Sequence, residues 1–445
     1  MRATLIICIF GAGIAAGAGW AAEPNLTGCN EKAAAACETI AVFVTGNQLG
    51  ELRPCGCSGG QLGGFERRGA LLDAVSPEQR FVLDTGNLIK RQTEQSLIKF
   101  EIILQAFTML GYDVVSLTKQ DAAIAARMGL IGNVPFKLIA AQISAEANLP
   151  QVISKQMKLG NTPITVMVAA AADESSVQQA ANELAVVSNE TAIKIVIFEG
   201  DEQAARQHLA ELENAHVVIV QTDADEPKVL KKTDKGAMLI SAGRLGKYVG
   251  RLDVRRSKMS GGFEFAYTSL AVDANLPQSP AFIELYKSYQ AIVKNQKLLE
   301  KYPKYVLADD SQYVGSTACG IKGCHDYEYG QWSTKRHAHA METLVKVGSD
   351  ADPECVICHV VGMEYKSGFI TAKKTPELTD VGCENCHGPG SKHLVTAGKA
   401  KTTAPQSKCL DCHTVENSAN YAGHEKEYEK KIVHWREPNA PKSVK

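Results

Sequence analysis

The sequence predicts a multidomain chain: an α/β layered domain, then a segment organised by something other than its own aliphatic side chains. Three observations predict it. From about Thr39 to Asp273, short apolar runs alternate with amphipathic helical stretches, the pattern of a layered α/β fold. From Tyr313 to Lys445 only 20 of 133 residues are Leu, Ile, Val or Phe, below the level at which a chain ordinarily builds a core. Eight cysteines fall in that same segment, in four pairs, and a histidine directly follows each pair.

The elements follow in order. Residues 1–22, MRATLIICIFGAGIAAGAGWAA, carry a basic residue, an apolar run and a small-residue exit, which reads as a secretory signal peptide and implies a periplasmic or other extracytoplasmic location. The run is short and Gly/Ala-rich for a spanning helix. Cys8 leaves with it. LTGC, ending at Cys29, also matches a lipobox, so a lipidated Cys29 and attachment to the outer membrane form the alternative. Residues 39–273 supply TIAVFVTG, RFVLDTG, DVVSLT, FKLIAAQ, TPITVMVAA, AIKIVIFEG, AHVVIVQTD and AMLISAG as buried strands. KYVGRLDVRRS and FEFAYTSLAV read as a closing antiparallel pair. QSLIKFEIILQAFTML and DEQAARQHLAELENA are helices between them. Residues 274–312 read as a helical connector, residues 313–436 as the cysteine-rich domain and residues 437–445 as a tail. The net charge of −1 and the lack of a basic groove give no support to nucleic-acid binding.

The chemistry sits in the pairs. CVICH (Cys355, Cys358, His359), CENCH (Cys383, Cys386, His387) and CLDCH (Cys409, Cys412, His413) each have the C-x-x-C-H form. Two thiols add to the two vinyl groups of a haem, which fixes their separation, and the next imidazole lies under the iron as axial ligand. Zinc also binds Cys-x-x-Cys pairs, but has no need of a histidine after every second cysteine. In CGIKGCH four residues separate Cys319 from Cys324, and His325 follows. Glycine at both ends of that insert lets the loop bulge and keep both sulfurs in reach. The expectation is four covalent haem c groups, whose macrocycles stand in for the missing core.

Five histidines of the segment lie outside the motifs: His337, His339, His393, His424 and His434. YVGSTAC, YGQWSTKRHAHAMETL, VGCENCHGPGSKH and CHTVENSANY followed by EYEKKIVH together resemble the tetrahaem cytochrome c family of the five-fifty-four type. The resemblance implies a mostly helical fold with haems in closely packed pairs. It also implies that His337, His393 and His434 are sixth iron ligands, and that the second haem along the chain, on His359, is open. His339 and His424 match no family ligand. The first attachment loop is longer than the family's, and Lys335 stands where serine is common.

Residues 39–273 resemble the metallophosphatase domain of periplasmic 5'-nucleotidases, with the ligands of its two metals replaced. Asn87 stands at the family's Asp, Thr118-Lys119-Gln120-Asp121 at its Asn-His tetrad and Gln221-Thr222 at its Ser-His. His208 and His216 read as surface or internally satisfied residues. GELRPCGCSGGQLGGFERRGALL resembles the Cys-Gly-Cys loop of exported nucleotidase-like proteins. There Cys55 and Cys57 are either a redox-active or metal-binding pair, or one side of disulfides to Cys29 and Cys37. The combined expectation is an exported multihaem electron carrier serving redox partner proteins. The alternative is a reductase acting on a small nitrogen or sulfur oxide, or on a thiol partner, at an open haem or at Cys55/Cys57.

Overall fold

The computed structural model describes residues 39–54, 60–142, 147–233, 237–258, 261–403, 409–418 and 420–436. The candidate signal peptide, Cys29, Cys37, Cys55, Cys57 and the tail lie outside these residues.

The β-branched runs pair as expected, into two six-stranded sheets. In the first, β1 (Thr39–Thr45), β2 (Arg80–Asp84), β3 (Val114–Ser116) and β4 (Lys137–Ile139) lie side by side in parallel. In the second, the antiparallel hairpin of β5 (Val152–Leu159) and β6 (Thr162–Ala171) continues in parallel through β7 (Ala192–Phe198), β8 (Val217–Val220) and β10 (Met238–Ser241), with β9 (Val229–Lys232) antiparallel on its edge. The chain then returns to the first sheet, where β11 (Tyr248–Arg256) runs antiparallel to β1 and pairs with β12 (Phe263–Ala271). β5 and β9 are not among the expected strands. Both are edge strands with half-exposed, lysine-containing sequences, so neither shows the apolar run of a buried strand.

Side-chain alternation sorts the core into layers. Ile40, Val42 and Val44 of β1 point between the sheets, against Val166, Ile195 and Ile219. Ala41 and Phe43 point outward, to the helices Glu94–Leu110 and Pro280–Asn295. The outer face of the second sheet is covered by the Glu174–Ala185 helix through Val177, Ala180 and Leu184. The result is helix on sheet on sheet on helix. The Pro280–Asn295 helix belongs to this packing, because Phe282, Tyr289 and Val293 are buried in the outer core of the first sheet.

The cysteine-rich segment is built differently. Its helices run four to eight residues, well short of the length at which an isolated helix holds itself in water. A small cluster that includes Met341, Leu344, Val356, Val360, Phe369 and Leu378 packs among them. Among the described residues, no helix is long and apolar enough to cross a membrane.

Candidate haem sites

Each attachment motif is set by local structure. In the first, the Cys324 N–H donates to the Ile321 carbonyl at 2.9 Å. Gly323 turns the insert at φ 87°, and a Cβ on Gly320 would stand 2.4 Å from the Tyr329 ring. Glycine is needed at both ends, for a different reason at each. Cys355 rides on the helix Pro353–Val356, the third motif forms the helix Cys383–His387, and the fourth begins with the helix Cys409–Cys412. Glu384 clamps the first motif to the third. Its buried carboxyl accepts the N–H groups of Val314, Gly315 and Gly390 at 2.7–3.0 Å. Burial pushes that carboxyl's pKa up, against these hydrogen bonds.

The histidines come together in pairs. His325 faces His393 with ring centroids 6.0 Å apart, His337 faces His413 at 6.2 Å, and His387 faces His434 at 6.3 Å. Each pair joins one attachment-motif histidine to one of the three expected distal ligands. Two imidazoles on opposite faces of one iron, each through a bond of about 2 Å, also bring their centroids to about 6 Å, whatever the angle between the ring planes. Tautomers agree with this use. Nδ1 of His393 lies 2.9 Å from the Ala400 carbonyl, that of His434 2.8 Å from Ile432 O, and that of His413 2.8 Å from Ser418 Oγ. A proton held on Nδ1 leaves the Nε2 lone pair for a metal. Burial lowers the pKa of His337, His359 and His413, which keeps them neutral and able to ligate. The residues present fit haem groups.

His359 is the exception. Its Nδ1 lies 2.7 Å from the Ala340 carbonyl, so its ring is oriented like the others. Among the described residues no second imidazole faces it across a gap of that size. His339 does not supply one. Its Nδ1 lies 3.1 Å from Glu342 Oε1 and its Nε2 2.9 Å from the Ser333 carbonyl, so both nitrogens are engaged. His424 is exposed at the start of the Glu425–Ile432 helix.

The sulfurs order the motifs in space. The Cys319 and Cys383 sulfurs are neighbours, placing the first motif beside the third. Cys412 likewise lies near Cys358, bringing the fourth motif to the second, and Cys386 lies close to Cys412. The four motifs therefore form one series, first, third, fourth, second.

The strand ends of the α/β half hold another chemistry. Asn87 Nδ2 donates to Asn47 Oδ1 at 2.8 Å, Asn47 Nδ2 to the Thr222 carbonyl at 3.2 Å, and Gln221 Nε2 to the Thr85 carbonyl at 2.8 Å. Asp121 is buried as the N3 residue of the capping box that Thr118 opens, accepting from the N–H groups of Asn87 and Leu88 and from the Thr118 hydroxyl. Lys119 is exposed. These are amides bonded to one another, and among the described residues no three His, Cys, Asp or Glu gather as metal donors. Asn47 was missed from sequence. A lone Asn after a strand reads only as turn chemistry.

Residues 318–388 match the family model for cytochrome c554 and c-prime. The cytochrome-c554-like segment is also 37% identical over 99 residues to cytochrome c-554 of Nitrosomonas europaea, a match covering 19% of this chain and 41% of that protein. Over a larger span, the chain is similar to a 5'-nucleotidase precursor of Thermus thermophilus, with 15% identity, a TM-score of 0.48, and coverage of 77% and 73% of the two chains. Sulfate thiohydrolase SoxB of the same organism is similar at 12% identity and a TM-score of 0.45, over 57% and 61%.

Proposed function

We propose that the chain is an exported multihaem c-type cytochrome that passes electrons between redox partner proteins, with four covalent haems of which three have two histidine ligands and one is open. The reading rests above all on three imidazole pairs at 6.0–6.3 Å beside one attachment histidine, His359, that has no such partner among the described residues. Cys319 with Cys324, Cys355 with Cys358, Cys383 with Cys386 and Cys409 with Cys412 would hold the macrocycles. His325/His393, His387/His434 and His413/His337 would hold three irons, and His359 the fourth from one side.

When bound, haem supplies reversible one-electron chemistry at iron. The chain's own part is to fix position. Glu384 and the Nδ1 hydrogen bonds fix the motifs, whose sulfurs lie near one another, so an electron need not cross bulk solvent between them. No side chain is asked to move a proton or form a bond. The open face at His359 keeps a second reading in view, in which a small nitrogen or sulfur oxide is reduced there.

Electron paramagnetic resonance of the oxidised protein and carbon monoxide binding after reduction test both. The expected result is three low-spin haems and one high-spin haem that binds carbon monoxide. Four low-spin haems without an adduct would remove the open site and the reductase reading. An intact mass with three haems would remove the site on Cys319 and Cys324.

A further inference from the structure

The cytochrome-like segment meets the α/β half through a buried polar seam, and the seam closes on the helix that carries the second attachment motif. Gln95 and Lys99 lie one turn apart on the Glu94–Leu110 helix and so share a face. Tyr289 reaches the same place from the Pro280–Asn295 helix. Their shared target is Asp352. Gln95 Nε2 donates to its Oδ1 at 2.6 Å and the Tyr289 hydroxyl to its Oδ2 at 2.8 Å. Oδ1 also accepts the Glu354 N–H at 2.9 Å, which makes Asp352 the N-cap of the helix Pro353–Val356. Lys99 Nζ pairs with Glu354 Oε2 at 2.5 Å. Gln290 completes the seam, donating to Ser349 Oγ and the Val347 carbonyl at 2.9 Å each.

Two features separate this seam from mere cohesion. Lys99 is 9% exposed and Asp352 4%, and apolar side chains of similar size would hold two surfaces together at no greater cost than buried charges. The buried ammonium also stands against the residue preceding Cys355, in the motif whose histidine has no facing imidazole among the described residues. Burial alone would pull the Lys99 pKa down, but Glu354, Asp352 and Glu51 outweigh it and hold the net shift upward. A fixed charge in a low-dielectric seam acts on a neighbouring redox centre more strongly than the same charge in water.

We propose that Gln95, Lys99 and Tyr289 of the α/β half are positioning residues for the second haem, fixing the Cys355–His359 segment through Asp352 and Glu354 while the Lys99 charge raises that haem's reduction potential. The α/β half then acts on the cytochrome as an electrostatic cradle. This rests on the reading above, in which the haem on His359 is open and can be followed apart from the others.

The test is a spectroelectrochemical titration of the full holoprotein, tracking the high-spin, carbon-monoxide-binding haem beside the low-spin ones. Lys99→Met leaves Glu354 and Asp352 uncompensated. It is expected to shift the reduction equilibrium of the high-spin haem about tenfold toward the oxidised form, about 59 mV for one electron, with the low-spin midpoints unchanged. Lys99→Arg keeps the charge and restores the wild-type midpoint. Glu354 has a side chain 55% exposed, so Glu354→Gln does not put folding at risk, and it moves the same haem the opposite way. Should Lys99→Met fail to load haem, Glu354→Gln decides. A high-spin midpoint that ignores Glu354→Gln, or midpoints that all move together, overturns the proposal. A wild-type protein with no carbon monoxide adduct removes the open-haem reading instead, whereas an adduct with an unmoved midpoint leaves that reading standing and removes the seam's role.

Discussion

The strand-end cluster of the α/β half and the histidines of the cytochrome-like half are both polar assemblies, yet they treat hydrogen bonding in opposite ways. Around Asn47, Asn87 and Gln221 the amides spend their donors on neighbouring carbonyls and on each other. Around the haem motifs the imidazoles of His393, His434 and His413 use Nδ1 on the protein, and each has a second imidazole about 6 Å away. A closed network stabilises a fold by itself, whereas an open one is stable only when a ligand completes it. The helices repeat the contrast. Thr93, Thr118, Asp173 and Asp201 cap helices of the α/β half with their side chains. Of the N-caps described in the other half, only Asp352 does so.

The largest expected effect comes from preventing haem attachment. Changing all eight attachment cysteines to Ser in the full chain should remove most of the helical circular dichroism of residues 313–436 and leave the sheet signal intact. Retention of the helical signal would break the contrast, by showing that the short helices stand without their ligand.

Next in size is a single distal ligand. His337→Ala should convert one low-spin haem to high spin, while His339→Ala, two residues further along the same 3-10 helix, should leave the spectrum unchanged. The reverse outcome would reassign the ligand of the His413 iron.

The α/β half should show its own pH signature. Asp84 is fully buried, and burial raises its pKa to about 6 against the hydrogen bonds of Thr45 and Gly86 and the charge of Arg68. The folded state therefore holds this proton more tightly than the unfolded chain. Its contribution is complete below about pH 4 and is lost as pH rises through about 6, amounting to about 3 kcal/mol. Urea unfolding followed by circular dichroism should show stability falling over that window in the wild type and a flatter profile in Asp84→Asn. Parallel profiles would show that another group carries the slope.

A smaller change is expected at a helix cap. The Thr93 hydroxyl accepts from the Ser96 N–H at 3.1 Å, and Thr93→Ala should cost about 1 kcal/mol of α/β stability without altering the haem spectra. The smallest expected effect is none at all. With manganese or zinc added, the holoprotein should hydrolyse no nucleotide or phosphate ester, and turnover abolished by Asp121→Asn would reopen the strand-end cluster as a metal site.

The sequence was most legible where chemistry is contiguous. Thiols that must reach two vinyl groups, and an imidazole that must lie under the same iron, have to be neighbours in the chain, so Cys355-x-x-Cys358-His359 and its repeats carry their own meaning. The alternation of Ile40, Val42 and Val44 with Ala41 and Phe43 likewise carries the two-faced burial of β1. The edge strands β5 and β9 were illegible, because half-exposed residues lose the pattern that burial imposes. His337 and His339 look alike in the sequence, and the resemblance to a known family was needed to choose between them. Only the tertiary structure set His337 opposite His413, 76 residues further on, and tied both nitrogens of His339 to Glu342 and Ser333. The seam is the extreme case, since Gln95 and Asp352 stand 257 residues apart. Contacts at such separation are fixed by how the layers pack and by where the last helix of the α/β half delivers the chain, and no local pattern records either.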